Sequence, residues 1–336
     1  MSPDMAHLLT DLLRQVSRSF YTTLRILPGA VRPQIGLAYL LARATDTIAD
    51  TQLVPLEQRL DALKLLRERI LGLHQKPLAF GTLAQQQGSP AERILLERVE
   101  EALTVLQGFP PADQQLIREV LQTITSGQEL DLARFAGASA DNISILLTDP
   151  ELEDYTYRVA GCVGEFWTKI CLAHLFPHAV LDNARLLADS IRFGKGLQLV
   201  NILRDLPADL RQGRCYLPAD KLDALGLKPA DLLRPESESR FRPLYHSYLD
   251  QASVHLAAGW DYTNTLPRSQ IRVRLACAWP ILIGVRTLAR LRVENVLDAN
   301  HRIKISRAEV RSLMFHSVLR YPFSGPWRRL FAQAAS

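Results

Sequence analysis

Residues 198–209 carry the strongest structural signal in the chain and read Gln198-Leu-Val-Asn201-Ile-Leu-Arg204-Asp205-Leu-Pro-Ala-Asp209. Apolar residues recur there at helical spacing, which predicts a helix with a buried face. Asp205 and Asp209 stand four residues apart. A helix therefore places both carboxylates on one side, about 6 Å apart along the axis at a rise of ~1.5 Å per residue. Pro207 lacks a backbone N–H and predicts a kink or an end of the helix between them.

A second stretch repeats this arrangement and reads Tyr39-Leu-Leu-Ala-Arg43-Ala-Thr-Asp46-Thr-Ile-Ala-Asp50. Two like charges at this spacing repel each other unless a cation lies between them. Mg²⁺ prefers oxygen ligands and commonly binds through one or two carboxylates, water and substrate phosphates. We therefore expect Mg²⁺ at both aspartate pairs, Asp46 with Asp50 and Asp205 with Asp209. Either pair taken alone has a plainer explanation as a solvated helix end or a salt bridge.

The composition of the chain favours a helical protein without a nucleic-acid partner. Its 336 residues include 40 Lys and Arg against 35 Asp and Glu, a net charge of +5 without long basic runs. That surplus is too small for a nucleic-acid surface. Apolar residues recur at helical spacing along most of the chain, no strand-like alternation is sustained, and no internal repeat or linker is visible. We expect one all-α domain of about ten helices over residues 1–336.

Cysteine usage and the chain ends suggest where the protein works. Four scattered cysteines without C-x-x-C spacing favour a reducing cytoplasm. The first residues lack the pattern of a signal peptide, and the most apolar window, 275–285, is shorter than the ~20 residues that cross a bilayer. Residues 319–336 mix aromatics with arginines. They either contact a membrane surface peripherally or pack on their own domain. We expect a cytoplasmic protein and favour a monomer.

Landmarks along most of the chain resemble the squalene/phytoene synthase family of head-to-head prenyltransferases. The resemblance begins at Val16-Ser17-Arg18-Ser19-Phe20 and includes Tyr39, Arg43 and the first aspartate pair. It resumes over residues 155–164 and is strongest over residues 196–218, with matches at Gln198, Asn201, Arg204, Asp205, Asp209, Gly213, Arg214 and Tyr216. The resemblance implies a single isoprenoid-synthase-type helical domain with a central cavity.

The resemblance also implies a reaction between two prenyl diphosphates, here two molecules of farnesyl diphosphate. Mg²⁺ at the two aspartate pairs would bind the diphosphate, whose departure leaves an allylic cation. A second molecule attacks that cation, and loss of a proton closes a cyclopropyl diphosphate. By match to the family, Tyr155 assists the proton loss with Tyr39 nearby, and Arg204 takes part in catalysis. The plainer explanation for each tyrosine is a hydrogen-bonded core position. The substrate would contact Ser17, Arg18, Phe20, Arg43, Gln198, Asn201, Arg214 and Tyr216.

The segment from His301 to Met314 decides the branch of the family. It resembles the NADPH-binding segment of squalene synthases, as Cys277-Ala-Trp-Pro280 resembles another signature of that branch. NADPH would then be bound by Lys304 and Arg307, although an ordinary basic loop explains these two as well. The resemblance adds Arg18, Arg43, Asn201 and Arg204 to the cofactor site. The alternatives are a phytoene or dehydrosqualene synthase without a reductive step, and a non-catalytic assembly factor.

Several positions depart from the family pattern. Ala49, Thr51 and Ala208 stand where eukaryotic relatives usually carry an extra acid within the motifs, so metal binding must rely on the four aspartates alone. Ala276 replaces a customary Phe, and Ser306 replaces a basic residue of the NADPH segment.

Overall fold

The structure is a computed structural model that describes residues 8–17, 21–51, 53–298, 301 and 303–335. Helices account for nearly all of its regular structure, which confirms the all-α class. Arg18 and Phe20, both expected at the substrate site, lie outside the described residues. Within the described part of the chain, no helix is long and apolar enough to cross a membrane. The chain divides into two compact units, Met1–Ala136 with Phe166–His178, and Gly137–Glu165 with Ala179–Ser336.

In the first unit, helix α3 carries the first aspartate pair. The α-helices of the range up to residue 136 are α1 (Leu13–Ser17), α2 (Tyr21–Ile26), α3 (Arg32–Asp50), α4 (Leu56–Leu71), α5 (Gly81–Gln85), α6 (Pro90–Glu97), α7 (Val99–Gln107) and α8 (Pro111–Arg134), with a π-helical turn at Leu8–Leu12. Pro33 stands in the first turn of α3, where its missing N–H has no helical acceptor to lose. Apolar side chains of α3 pack against α4 and α8. Burial of these side chains holds the part of α3 that carries Asp46 and Asp50 in place.

The second unit is built around a long helix that carries the second aspartate pair. Its α-helices are α9 (Asp149–Thr156), α11 (Asn183–Arg211), α12 (Ala219–Ala224), α13 (Glu238–Thr265), α14 (Ile271–Val293), α15 (Arg307–Arg320) and α16 (Ser324–Ala335). The boundary between the residue ranges of the two units falls within helix α10 (Cys162–His174), between Glu165 and Phe166. A π-helical turn, Tyr157–Gly161, precedes this helix. Helix α11 packs along α13, and α13 packs on α14. Two short parallel strands, β1 (Ser144–Ile145) and β2 (Arg214–Cys215), were not predicted.

Helix α11 continues through Pro207 to Arg211, so an end of the helix at this proline is wrong. A proline there leaves the carbonyl of Leu203 without its helical N–H partner. The hydroxyl of Tyr245 on α13 donates a buried hydrogen bond to that carbonyl at 3.0 Å. Burial raises the pKa of Tyr245, so the hydroxyl remains a donor. Helix α11 therefore tolerates the proline because a neighbouring helix supplies the missing donor.

We expect Tyr245→Phe to lower the free energy of unfolding by about 1–3 kcal/mol, because it leaves a buried carbonyl unpaired. Urea denaturation followed by circular dichroism measures the change. Tyr248→Phe on the same helix is the matched control, since Tyr248 donates to Asp149 at 2.6 Å. That carboxylate side chain is 47% exposed, so water replaces the lost donor at smaller cost. Equal losses in the two variants would contradict the role given to Tyr245.

Two glycines allow the backbones of the second unit to approach closely. A Cβ atom added at Gly164 would lie 2.0 Å from the carbonyl oxygen of Ser190, and one at Gly194 would lie 2.2 Å from that of Ala160. Both clashes are with backbone atoms, which side-chain rotation cannot relieve. Gly164 belongs to the segment 155–164 that carries part of the family resemblance, and its role is steric.

Candidate active site

The carboxylate of Asp46 lies between polar partners from its own helix and from α8. Gln128 on α8 donates a hydrogen bond to its Oδ1, and Nη1 of Arg43 lies 3.9 Å from its Oδ2. The side chain keeps 47% of its surface exposed, so solvent reaches one side of an otherwise enclosed group. Burial and then the like charge of Asp50 raise the pKa of Asp46 to about 6, against the opposing effects of Arg43 and Gln128. The two aspartates of this motif therefore interact, as their spacing predicts.

A cavity of about 280 Å³ opens beside this pair. It is lined by Arg43, Thr47, Asp50, Thr51, Leu53, Gln86, Gln87, Gly88 and Glu92. Arg43 donates a short hydrogen bond to Glu92, which was not predicted. Burial acts to lower the pKa of Arg43, but the hydrogen bond to Glu92 and the negative charge of Asp46 outweigh it. The pKa of Arg43 is therefore raised. Thr47 Oγ1 and Arg43 Nε are buried and have no hydrogen-bond partner among the described residues. The cavity thus has polar atoms left to bind a ligand.

The residues around Asp46 fit Mg²⁺ bound together with a phosphate ligand. A cation would relieve the repulsion between Asp46 and Asp50 that raises the first pKa. Mg²⁺ needs only one or two carboxylates when water and phosphate complete its coordination. In the described ranges, no group of three His, Cys, Asp or Glu side chains is arranged to hold a metal ion. Two carboxylates alone would leave most of the coordination of such an ion to water and phosphate oxygens.

In the second aspartate pair, Asp205 forms an ion pair with the neighbouring Arg204. Arg204 Nε donates to Asp205 Oδ1 at 3.0 Å, and Nη2 donates to Oδ2. This hydrogen bond raises the pKa of Arg204 despite burial, and the charges of Asp205 and Asp209 act in the same direction. About 30% of each side chain in the Arg204–Asp205 pair is exposed. A ligand that binds Asp205 must therefore displace or share this ion pair.

Two tyrosines of the second unit form a stacked pair. Tyr155 and Tyr216 are both buried, with ring centroids 4.7 Å apart and planes inclined at 26°. Tyr155 stands two residues before the π-helical turn at Tyr157–Gly161, a distortion that frequently marks functional sites. Tyr39 lies half-buried on α3, one turn before Arg43. The expectation that Tyr39 lies close to Tyr155 stays a prediction.

The other expected substrate residues occupy varied settings. Ser17 is buried, and its Oγ has no hydrogen-bond partner within the described ranges. Asn201 is exposed and its Nδ2 lies 3.5 Å from Gln198 Oε1, at the limit of a hydrogen bond. Arg214 stands in β2, directly after Gly213, whose φ of +80° and contact with Ser139 exclude a side chain. The structure therefore holds the backbone of Arg214 firmly while its side chain remains partly exposed.

Lys304 and Arg307 are exposed at the start of α15. Ser306 caps this helix, since its Oγ accepts from Glu309 N at 3.2 Å and its own N donates to Glu309 Oε2 at 2.9 Å. These bonds to Ser306, with lesser help from Arg290, lower the pKa of Glu309. A helix N-terminus carries partial positive charge and attracts phosphate. Ser306 thus caps the helix at the position where relatives usually carry a basic residue.

The sequence model of the squalene/phytoene synthase family matches residues 13–309. The chain belongs to this family. It is 32% identical over 259 residues to a bifunctional lycopene cyclase/phytoene synthase of Colletotrichum graminicola, covering 76% of this chain and 41% of that protein. It is 26% identical over 304 residues to the squalene synthase of Saccharomyces cerevisiae, covering 90% and 65%. The chain therefore spans less than two thirds of either relative.

A solved structure, TcSQS in complex with a ligand, shares the fold with a TM-score of 0.78. Its identity to this chain is 20%, with 99% of this chain and 97% of that one covered, so the likeness concerns the fold alone. Squalene/phytoene synthases are head-to-head isoprenoid synthases and thus prenyltransferases. Prenyltransferase chemistry requires polar groups that bind diphosphate beside apolar walls. The cavity beside Asp50 is lined mainly by polar side chains.

Gln128 and Glu92 are two polar residues beside the first aspartate motif that the sequence did not predict. Gln128 is 8% exposed, and its Oε1 is buried without a partner among the described residues. It continues the buried row Ile117, Leu121 and Ile124 of α8. A polar residue at such a position was the available signal, because helical spacing places it on the buried face. Glu92 on α6 offered no comparable signal.

Proposed function

We propose that this chain is a squalene synthase, which joins two molecules of farnesyl diphosphate through presqualene diphosphate and reduces that intermediate with NADPH. The observation that carries the proposal is the start of α15, where Lys304 and Arg307 are exposed beside a capped helix N-terminus. Two cations and a helix N-terminus suit the phosphates of a dinucleotide. The similarity to a squalene synthase over 90% of this chain supports the same branch.

In this proposal the two aspartate pairs bind the diphosphate groups. Asp46, Asp50, Asp205 and Asp209 hold Mg²⁺. When bound, Mg²⁺ neutralises the departing diphosphate and NADPH supplies a hydride. Arg43 and Arg204 keep positive charge beside each pair in the protein alone. Such preorganised charge stabilises negative charge that develops on a leaving group.

The remaining proposed roles follow the family resemblance. Arg18, Arg43, Asn201 and Arg204 contribute to cofactor binding beside Lys304 and Arg307. The prenyl donors contact residues of several helices, namely Ser17, Arg18, Phe20, Arg43, Gln198, Asn201, Arg214 and Tyr216. The reaction requires that the bound donors keep water from the allylic cation.

Tyr155 is the proposed group that assists proton loss, together with Tyr39. We expect Tyr155→Phe to lower the rate of the first half-reaction about 100-fold, since general acid–base groups contribute at least that much. Single-turnover formation of presqualene diphosphate measures it. Tyr157→Phe is the control, because it removes a hydroxyl two residues away that donates to Glu165 Oε2 at 3.3 Å and has no proposed role in the reaction. Wild-type turnover by Tyr155→Phe would remove this residue from the mechanism.

One product assay tests the proposed function. Purified protein is incubated with farnesyl diphosphate and Mg²⁺, with and without NADPH, and the hydrocarbons are identified. Squalene formed only with NADPH supports a squalene synthase. Dehydrosqualene, or a cyclopropyl diphosphate that NADPH does not discharge, would contradict the reductive step.

A phytoene synthase is the second candidate. The 32% identity to a bifunctional lycopene cyclase/phytoene synthase favours it. Such an enzyme condenses two C20 donors without reductant, so the same assay is repeated with geranylgeranyl diphosphate. Faster turnover of the C20 donor, with no response to NADPH, would replace the first proposal with this one.

A further inference from the structure

A second cavity, of about 330 Å³, lies in the second unit away from both aspartate motifs in the sequence. Its lining residues come from the end of α13, the α13–α14 connection, α14, the α15–α16 turn and α16: Asn264, Thr265, Leu266, Pro267, Arg268, Arg274, Tyr321, Ser324, Trp327 and Arg328. Among these described lining residues there are three arginines and no carboxylate. The cavity is therefore a strongly cationic site for which the proposed reaction has no use.

Arg274 is the buried cation of this site, with 6% of its surface exposed. Its guanidinium lies 5.4 Å from the ring centroid of Tyr321 and 5.6 Å from that of Trp327. Nη2 donates to Asn264 Oδ1 at 2.9 Å, whereas Nε is buried without a hydrogen-bond partner in the described part of the chain. A buried charge with an unused donor and no carboxylate beside it is costly unless an anion binds.

The electrostatics of the cavity favour binding of an anion. Burial lowers the pKa of Arg274, and the positive charges of Arg268 and Arg328 lower it further. Tyr321 opposes that shift. Guanidinium groups bind phosphate oxygens through paired hydrogen bonds, so three of them around one cavity suit a phosphate group.

The site is held together by hydrogen bonds between its two segments. Arg268 donates to Ser324 Oγ at 3.1 Å and to the carbonyl of Pro322. The hydroxyl of Tyr321 donates to the carbonyl of Arg268 at 2.6 Å, and Trp327 Nε1 donates to Asn264 Oδ1 at 2.8 Å. These contacts fix the α15–α16 turn against the α13–α14 connection, so the arginines are positioned before any ligand arrives.

A row of exposed apolar side chains leads to the same turn. Phe315, Val318, Leu319 and Phe323 are 60%, 49%, 53% and 63% exposed. Their spacing places Phe315, Val318 and Leu319 on one side of α15. Phe323 lies between Tyr321 and Ser324, which both line the cavity. Exposed apolar residues grouped in this way mark interaction surfaces, and apolar residues with arginines nearby suit the lipid–water interface.

We propose that the arginine cavity binds the phosphate of an anionic phospholipid headgroup while the apolar row enters the bilayer surface. Charge complementarity selects the anionic lipid, and the neighbouring apolar row distinguishes a bilayer from a free phosphate ion. This inference is independent of the reaction proposed above, because neither the aspartates nor Lys304 and Arg307 contribute to it. Of the two expectations for residues 319–336, the proposal favours contact with a membrane surface and assigns that contact to a defined site.

Vesicle co-sedimentation of the full chain tests the proposal. Phosphatidylcholine vesicles are compared with vesicles that also contain phosphatidylglycerol, and binding to the second kind alone is expected. Arg328→Gln should weaken this binding about tenfold or more, as expected for loss of a charged hydrogen bond. Arg329→Gln is the matched control, since Arg329 is exposed on the same helix but does not line the cavity. It should lose no more than the roughly fivefold effect of any surface charge.

Two further arms separate the possible ligands. Phe323→Ala should weaken vesicle binding and leave calorimetric titration with inorganic phosphate unchanged. Equal losses for Arg328→Gln and Arg329→Gln, or equal binding to neutral vesicles, would overturn the proposal. Phosphate binding that requires Arg328, with no vesicle binding by the wild type, would make the cavity a free-anion site and overturn the lipid. Arg274 is left unchanged because its burial links it to stability.

Discussion

Asp46→Asn is expected to slow diphosphate release about 100- to 1,000-fold and also to stabilise the metal-free protein. Loss of one carboxylate from the proposed Mg²⁺ pair removes charge stabilisation from the leaving group, and single electrostatic contacts of this kind contribute about 10²–10³. The stability gain has a separate cause. In the folded protein, burial and the charge of Asp50 oppose ionisation of Asp46. The neutral Asn retains an oxygen that can accept from Gln128 and carries no such penalty.

The pH dependence of stability tests the second part. The pKa of Asp46 is about 6 in the folded protein, above its ordinary value near 3.8. A raised carboxyl pKa contributes stability that is present below the unfolded pKa and is lost as the pH rises through the folded pKa. The metal-free wild type should therefore lose stability relative to Asp46→Asn between about pH 4 and pH 7. Thermal unfolding of both proteins in a metal chelator across this range measures the difference.

Asp61→Asn serves as the control for both measurements. Asp61 is exposed on α4 and does not line the cavity, so its replacement should leave turnover near the wild-type rate and add no pH-dependent difference. A normal rate for Asp46→Asn would remove the first pair from the reaction. If the stability difference between the wild type and Asp46→Asn stayed constant from pH 4 to pH 7, that result would contradict the raised pKa of Asp46.

The helices that carry the aspartates were predictable because their signals are local. Helix α3 is observed at Arg32–Asp50, with proline at its start and apolar residues at regular spacing. Helix α11 was expected to end or kink near Pro207, and it continues to Arg211. The sequence shows the proline, but the donor that replaces its missing N–H comes from Tyr245 on another helix. Local rules cannot identify such a partner.

The same distinction applies to the candidate site. The interaction of Asp46 with Asp50 follows from their spacing on one helix. Glu92 and Gln128 reach Arg43 and Asp46 from helices α6 and α8, so their roles depend on tertiary packing. The cap formed by Ser306 and Glu309 was readable as a Ser-x-x-Glu pattern.

Gly164→Ala is expected to lower the free energy of unfolding by at least about 3 kcal/mol, at the upper end of overpacking effects. The added Cβ would lie 2.0 Å from the carbonyl oxygen and 2.7 Å from the carbonyl carbon of Ser190. Relief requires α10 and α11 to move apart at the point where Gly194 makes the reciprocal contact with Ala160. Chemical denaturation measures the loss, and severe destabilisation appears first as poor yield of folded protein.

Gly161→Ala, three residues earlier, tests whether the lost stability comes from this backbone clash or from placing any alanine in this segment. An added Cβ at Gly161 would meet only side-chain atoms, Tyr157 Cδ2 at 3.1 Å and Ile191 Cγ2 and Lys195 Cγ at 3.3 Å. These atoms can shift, and alanine gains about 1 kcal/mol over glycine in a helix interior. The net change should therefore stay within about 1 kcal/mol. Similar losses in the two variants would show that flexibility of this segment, rather than contact between two backbones, requires its glycines.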